Sequence, residues 1–338
     1  MAGRVAAGVL VIGLLAAGCS TPTGSTAPAS ASLDSGASSP TASEPNPSPT
    51  IAAPTPYPTQ VAGHEATVIP LGGVDAAPID AIAANGSIWV ALHRGDAIVR
   101  IDPADGTVQA TIPVTAGTGP GWFTVGAGSI WVTNQNSVGI SRIDPATNEI
   151  VSLGGDSPCG PPAFVDGSAW INACDAPALI SYDAATEAEA ERIDVPEAIT
   201  PIAVNGELWG FGESGIYRLD PTSRKMKRIG DCCAGLAGTV RGNELWLPAD
   251  DGLHVLDVRS GKVKWELPLH GAVTVAFAHG AAWVVAHGNG PSLTQVDLAT
   301  HKVVGTEPLG LQPIRILVAG GRLWVTDMLL NELTALTP

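Results

Sequence analysis

The sequence has few basic residues and lacks the common local motifs of catalysis. Its 338 residues include 17 Lys and Arg against 32 Asp and Glu, a net charge of −15. This balance disfavours nucleic acid and anionic membrane as direct partners, because both carry the same sign of charge. The chain contains no HExxH, no P-loop and no GxSxG with partners in place, and its histidines are scattered. No motif therefore assigns a reaction.

Long apolar runs are also scarce, and the clearest one opens the chain. Residues 5–18 follow Arg4 as an uncharged run of 14 residues, which is too short to span a bilayer comfortably. The run leads into LAAGC at residues 15–19, which resembles the lipobox of bacterial lipoproteins. The resemblance implies that residues 1–19 are a signal peptide, that Cys19 is acylated, and that the protein is extracytoplasmic and anchored to the cell membrane by this lipid. The alternative is a plain secretory signal with a small-residue cleavage site.

Residues 20–63 are predicted to be a disordered linker. Of the 43 residues from 20 to 62, 33 are Ser, Thr, Pro or Ala, and nine are Pro. Such a composition cannot bury enough apolar surface to offset the entropy of ordering the chain. The folded part is therefore expected to begin near residue 64.

A tryptophan within an apolar strand recurs seven times in residues 64–338. The steps between successive tryptophans are 42, 39, 39, 37, 37 and 41 residues, and the positions are Trp89, Trp131, Trp170, Trp209, Trp246, Trp283 and Trp324. A period near forty with only β patterning is typical of a β-propeller. The sequence predicts an all-β, seven-bladed propeller in one domain, with these tryptophans packed as core between adjacent blades.

Two kinds of turn support the assignment of strands within each repeat. A two-residue turn that contains Gly or Asn precedes each tryptophan strand, because tight hairpins need positive φ. These turns are Asn85-Gly86, Ala127-Gly128, Asp166-Gly167, Asn205-Gly206, Gly242-Asn243, His279-Gly280 and Gly320-Gly321. The third strand ends in an aspartate in six repeats, which is typical of a type I turn. These aspartates are Asp102, Asp144, Asp183, Asp220, Asp257 and Asp297.

The seventh repeat is incomplete, and the missing strand lies at the other end of the domain. The chain stops at residue 338, where the other repeats enter an outer strand, and residues 65–71 (EATVIPL) form a spare strand before the first repeat. We expect residues 65–71 to pair with residues 331–336. This pairing closes the ring and leaves no free sheet edge between the first and last blades.

The second repeat resembles a known group of propellers. WVTN at residues 131–134 and RIDPATNEIV at residues 142–151 are similar to the YVTN repeat of bacterial and archaeal surface propellers, and the wider group includes virginiamycin B lyase-like propellers. The resemblance covers about residues 65–338. The lyase-type enzymes act through a His/Glu set with a magnesium ion, but no stretch here matches that set. No catalytic residue is carried over, and both the catalytic residues and a metal site stay unknown.

One face of the ring is the better candidate for binding. The second-to-third loops and the crossings between blades share this face, and they are long and varied. The candidate ligand-binding residues on it are His93, Trp122, Asn134, Gln135, Glu213, Asp250, His270, His287 and Asp327. This set can bind a cation or a polar ligand, or it can be a solvated polar rim.

Two functions are compatible with these observations. The first is a surface-anchored, non-catalytic module that binds a small molecule or a surface protein, reaches the membrane through its lipid alone and acts as a monomer. The second is a metal-dependent lyase or hydrolase resembling virginiamycin B lyase. No cofactor is predicted, although a divalent cation is possible. Contacts between Glu213, Asp250 and His287 near the axis would favour the enzyme.

The cysteines give a test of the topology. The turn at Asp166-Gly167 fixes a hairpin register in which Cys159 lies opposite Cys174, at a distance that suits a disulfide. An exported domain keeps such bonds. The neighbours Cys232 and Cys233 can form a vicinal disulfide or remain thiols.

Overall fold

The computed structural model describes residues 55–73, 75–137, 139–231, 235 and 237–338. The predicted signal peptide with Cys19, most of the predicted linker, and Cys232 and Cys233 lie outside the described residues. Within them the structure is all-β, and it contains no helix that could cross a membrane.

The strands form seven sheets. Two strands precede the first repeat, β1 (Tyr57–Val61) and β2 (His64–Pro70). The first blade has β3 (Pro78–Ala84), β4 (Ser87–Leu92), β5 (Ala97–Ile101) and β6 (Val108–Pro113); the second has β7 (Pro120–Gly126), β8 (Ser129–Asn134), β9 (Ile140–Ile143) and β10 (Ile150–Leu153). The third has β11 (Ala163–Val165), β12 (Ser168–Asn172), β13 (Ala178–Asp183) and β14 (Ala188–Asp194). The fourth has β15 (Thr200–Val204), β16 (Glu207–Gly212), β17 (Gly215–Asp220) and β18 (Lys225–Gly230).

The remaining blades follow the same order. The fifth has β19 (Thr239–Arg241), β20 (Glu244–Ala249), β21 (Gly252–Asp257) and β22 (Val263–Leu267); the sixth has β23 (Ala272–Ala278), β24 (Ala281–Ala286), β25 (Ser292–Asp297) and β26 (Val303–Pro308). The seventh has β27 (Pro313–Ala319), β28 (Arg322–Asp327) and β29 (Glu332–Thr337). Neighbouring strands within each blade pair antiparallel, so the predicted seven-bladed propeller is confirmed.

The N-terminal strand closes the ring as predicted. Strand β2 pairs with β29 in a ladder that runs from Glu65 opposite Thr337 to Pro70 opposite Glu332. Strand β1 then adds a fifth strand outside β2. It lies in the stretch that the composition assigns to the linker, so the linker prediction extends too far at its C-terminal end. The reason is a hairpin turn at Ala62 and Gly63, whose φ values are 52° and 73°, which returns the chain onto the edge of β2.

The seven tryptophans form the centres of the cores between blades, as predicted. Five of them are fully buried, and Trp170 and Trp283 are each 4% exposed. Trp131 of the second blade packs with Ile171 and Ile180 of the third, which shows how each blade covers its neighbour. In all seven tight turns before the tryptophan strands, the first residue has positive φ. This residue is Asn or Gly in four turns, and it is Ala127, Asp166 or His279 in the other three.

The predicted disulfide between Cys159 and Cys174 is present, with their Cα atoms 5.0 Å apart. The predicted register holds where β11 pairs with β12, since Ala163 lies opposite Trp170. Beyond that pair the register shifts, because Pro158 bridges Ala173. The two cysteines are therefore brought together across an irregular end of the hairpin and not by a regular ladder.

Candidate functional site

Three of the predicted site residues meet where the first and second blades adjoin. The backbone N–H of Gln135 donates to the carbonyl of Gly119 (2.9 Å), and its side-chain amide donates to Thr133 Oγ1 (2.9 Å). The N–H of Trp122 donates to the same Thr133 hydroxyl (3.0 Å). His93 lies against this crossing, because a Cβ atom at Gly119 would come 2.9 Å from its ring. The crossing at residues 119–122 thus gathers His93, Trp122 and Gln135.

His93 is the titratable group of this cluster. Burial lowers the pKa of its imidazole, and the carbonyl groups of Gly119 and Pro120 oppose that shift. Its Nδ1 atom is buried without a hydrogen-bond partner among the described residues. The side chain is therefore neutral near pH 7, and a neutral imidazole can both donate and accept a hydrogen bond.

Three further candidates are connected around Gly271 in the fifth to seventh blades. The N–H of Gly271 donates to the carbonyl of Asp250 (2.8 Å), and the N–H of His287 donates to the carbonyl of Gly271 (2.8 Å). His287 Nε2 lies 2.6 Å from the carbonyl oxygen of Pro313, so this nitrogen carries the proton. Asp250 and His270 are exposed.

The last three candidates have different environments. Asn134 is buried, and its Oδ1 accepts a hydrogen bond from Ser141 Oγ (3.1 Å). Asp327 is 4% exposed, and its carboxylate accepts four backbone hydrogen bonds, so it holds loops in place. Glu213 is exposed at the turn after β16.

The candidate carboxylates and histidines do not converge on one point. In the described part of the chain, no three His, Cys, Asp or Glu side chains come close enough to hold a metal ion. The cluster of Glu213, Asp250 and His287 that would favour an enzyme is thus not found there. The ring of His287 is hydrogen-bonded to the carbonyl oxygen of Pro313, and the side chain of Glu213 is exposed at the turn after β16.

A charged pair that the sequence analysis missed lies in the innermost strands. Asp80 Oδ2 accepts a hydrogen bond from the N–H of Phe123 (2.8 Å), and its Oδ1 lies 3.2 Å from Arg315 Nε. Burial raises the pKa of Asp80, while Arg315 and the Phe123 N–H oppose the shift. The pair joins the seventh, first and second blades. The only sequence signal is one aspartate within the otherwise apolar stretch PIDAIAA.

An apolar surface is the second feature that was missed. Leu311, Leu329 and Leu330 are 58%, 55% and 40% exposed, and we call these three residues the leucine surface. Asp327 holds their loops together. Its Oδ2 accepts the N–H groups of Leu311 (2.7 Å) and Gln312 (3.0 Å), and its Oδ1 accepts those of Leu329 (3.1 Å) and Leu330 (3.0 Å). The available signal is the run MLL at residues 328–330, in a loop where most other blades carry polar residues.

Comparison with known sequences gives no assignment. No protein-family model matches the chain, and no curated protein sequence matches it.

The structure of the chain is similar to several solved structures. A catalytically inactive virginiamycin B lyase from Staphylococcus aureus with quinupristin is 15% identical, with a TM-score of 0.67 over 81% of this chain and 99% of that one. BamB from Moraxella catarrhalis is 14% identical, with a TM-score of 0.54 over 84% and 91% of the two chains. U3-55K is 11% identical, with a TM-score of 0.60 over 80% and 98%. The shared feature is the β-propeller fold. Similarity at this level of identity shows the fold alone.

Proposed function

We propose that this protein is a non-catalytic, protein-binding propeller displayed outside the cytoplasm. In this proposal the chain is anchored by a lipid on Cys19, reaches away from the membrane through its Ser/Thr/Pro/Ala-rich linker, and acts as a monomer. The leucine surface on the seventh blade binds the partner. The lipobox-like end of the apolar run and the YVTN-like repeat support the location.

The observation that carries the proposal is the construction of the leucine surface. Three large apolar side chains project from two loops, although a soluble surface usually scatters such residues singly. One buried carboxylate fixes both loops through four N–H groups. A surface that is ordered before binding loses less conformational entropy when the partner docks. Clustered apolar anchors within a polar rim are typical of a protein interface.

The lyase or hydrolase alternative has less support. The virginiamycin B lyase structure contains quinupristin, but its 15% identity does not transfer an activity. Among the described residues, the histidines and carboxylates of the loop face bond to the protein backbone or stay apart.

Site-specific photocrosslinking in cells tests the proposal. A benzoylphenylalanine at Leu329 should give one discrete adduct with a partner protein. The matched control is the same photocrosslinker at Val304, which is 62% exposed on the outer strand of the sixth blade. Leu311→Asp should abolish the Leu329 adduct, because a charge within the apolar surface is costly to bury. Equal adducts at both positions, or an adduct that survives Leu311→Asp, would refute the assignment of this surface.

The anchor is tested separately. Cys19→Ser should move the protein from the membrane fraction to the medium and prevent incorporation of a labelled fatty acid. Retention of the variant in the membrane fraction would contradict the lipid anchor, whatever the outcome of the crosslinking.

A further inference from the structure

An open cleft of about 390 Å³ lies between the third and fourth blades, on the face of the tight turns. The tight turns before β12 and β16 form two of its sides. Trp170 and Ser181, which are 4% and 2% exposed, lie in its wall together with Ser168. A volume of about 390 Å³ is within the range of small-molecule sites in proteins.

The first two blades show how the serines of the tryptophan strands are normally satisfied. In the second blade, Arg142 lies opposite Trp131 with its guanidinium 6.0 Å from the ring centre, and its Nε donates to the hydroxyl of Ser129 (2.8 Å). The first blade has the same bond, from Arg100 Nε to the hydroxyl of Ser87 (2.9 Å). In both blades the arginine that covers the tryptophan also bonds to the serine that begins its strand.

In the third blade, the arginine over the tryptophan comes from the fourth blade instead. The guanidinium of Arg224 lies 5.9 Å from the ring centre of Trp170, and its Nε donates to Glu191 Oε1 (2.9 Å). Ser181 lies opposite Trp170, and Ser168 begins the tryptophan strand. In the described part of the chain, neither serine hydroxyl makes a hydrogen bond. A hydroxyl that is buried without a partner is costly, so these two groups require a partner in the cleft.

The charged groups that line the cleft are largely paired with each other. Glu191 forms an ion pair with Arg224, and Glu207 Oε2 lies 3.7 Å from Arg218 Nη1. A charged ligand would have to compete with these existing ion pairs. A neutral ligand meets no such competition, because a paired carboxylate keeps unused lone pairs and a paired guanidinium keeps unused N–H groups.

The wall of the cleft offers hydrogen-bonding groups of every kind. Its carboxylates can only accept, Arg224 can only donate, and the hydroxyls of Ser168 and Ser181 can do both. A ligand with several hydroxyl groups matches such a wall, because each hydroxyl can donate to one group and accept from another. A purely apolar ligand would leave the wall groups without partners, which is costly.

We propose that this cleft binds a neutral sugar residue, either free or at the end of a glycan. The hydroxyls of Ser168 and Ser181 and the ion pair of Glu191 with Arg224 bond to the hydroxyl groups of the sugar. The apolar side chain of Leu219, which also lines the cleft, contacts the C–H groups of its ring. The leucine surface lies on the opposite face of the ring of blades, so the two sites can be tested independently.

Saturation-transfer NMR on the full chain tests the proposal with small probes. The probes are D-glucose, D-galactose and D-mannose, which are neutral and differ in the orientation of their hydroxyls. At least one of them should bind with a dissociation constant on the order of 1 mM, as expected for a ligand of about 12 non-hydrogen atoms. Cyclohexanol has a ring of similar size with one hydroxyl and should bind more weakly. Equal binding of cyclohexanol, or no binding of any of the three sugars, would overturn the proposal.

A double variant tests whether the two serines hold the sugar. Ser168→Ala with Ser181→Ala removes both hydroxyls that have no partner, and it should weaken binding of the sugar roughly fivefold or more. Ser129→Ala is the matched control, because it removes the corresponding hydroxyl of the second blade, which is already bonded to Arg142. The control should bind the sugar as the wild type does. Unchanged binding in the double variant would refute the assignment.

A second variant closes the cleft from its rim. Ala190 lines the cleft and is exposed, so a larger side chain there leaves the core between the blades intact. Ala190→Phe should fill part of the cleft and abolish binding of the sugar. Binding that persists in this variant would place the sugar elsewhere and overturn the proposal.

Methyl glycosides of the sugar that binds distinguish the two sources of the ligand. A methyl group on the anomeric oxygen stands for the next residue of a glycan. Equal binding of a methyl glycoside and the free sugar would support the end of a glycan as the ligand. Binding of the free sugar alone would support a free monosaccharide.

Discussion

Replacement of Asp327 by alanine tests whether one carboxylate supports the leucine surface. The change removes four N–H···O hydrogen bonds from two loops. A hydrogen bond to a charged group contributes about 1.5–3 kcal/mol when its donor is buried. Leu311, Leu329 and Leu330 are exposed, so water can partly replace the carboxylate at their N–H groups. We therefore expect each lost hydrogen bond to reduce the free energy of unfolding by about 0.5–1 kcal/mol, which gives about 2–4 kcal/mol for the four bonds.

Urea unfolding and hydrogen exchange measure the two consequences. The urea concentration at the midpoint of unfolding should fall by the amount that corresponds to this loss of free energy. The slope of the free energy of unfolding against urea concentration should stay unchanged. The amides of residues 311, 312, 329 and 330 should lose protection, while those of the other blades keep it. Asp327→Asn is the matched control, because its one carbonyl oxygen can retain part of the bonds and should give an intermediate loss. A midpoint within error of the wild type, together with unchanged exchange in both loops, would show that the carboxylate does not hold them.

Three other perturbations have defined outcomes. Trp209→Ala should destabilise the domain by about 3–5 kcal/mol in urea unfolding, because Trp209 is fully buried; a loss below about 1 kcal/mol would contradict its role in the core. Cys174→Ser should reduce the free energy of unfolding by about 3 kcal/mol, the chain-entropy value for a closed loop of about 15 residues. Non-reducing peptide maps of the wild type should contain the link from Cys159 to Cys174 and no link from either residue to Cys232. Burial raises the pKa of Tyr182 to about 12, so the unfolded chain ionises this phenol first and the free energy of unfolding should fall as the pH rises from about 10 to 12. Tyr182→Phe should reduce that fall. An equal fall in the variant would show that Tyr182 is not the group responsible.

The sequence predicts the parts of this fold that depend on local chemistry. The turns before the tryptophan strands follow from the need for positive φ, as at Asn85 and Asn205. The closure by β2 follows from counting strands. Strand β1 was missed because its composition matches the linker that precedes it, although its hairpin turn, Ala62-Gly63, is the same dipeptide as the recognised turn Ala127-Gly128.

The candidate site was predicted less well, because its properties depend on contacts between distant blades. Asp80 and Arg315 meet only when the ring closes, and no local pattern links them. Asp327 occupies a position on the loop face that suggests an exposed ligand, but the crossing at residues 310–312 folds over its carboxylate and buries it.

The five-stranded seventh blade has a mechanical consequence. The chain enters the domain at β1, the outermost strand, and β1 is bonded to the domain through its ladder with β2. A pulling force applied at the N-terminal end of β1 therefore acts first on the hydrogen bonds between β1 and β2, which can break one after another from Tyr57 onward. The ladder between β2 and β29 carries the load only after β1 has detached. In the proposed arrangement, a chain stretched between a membrane and a bound partner would lengthen by the five residues of β1 before the ring itself was strained.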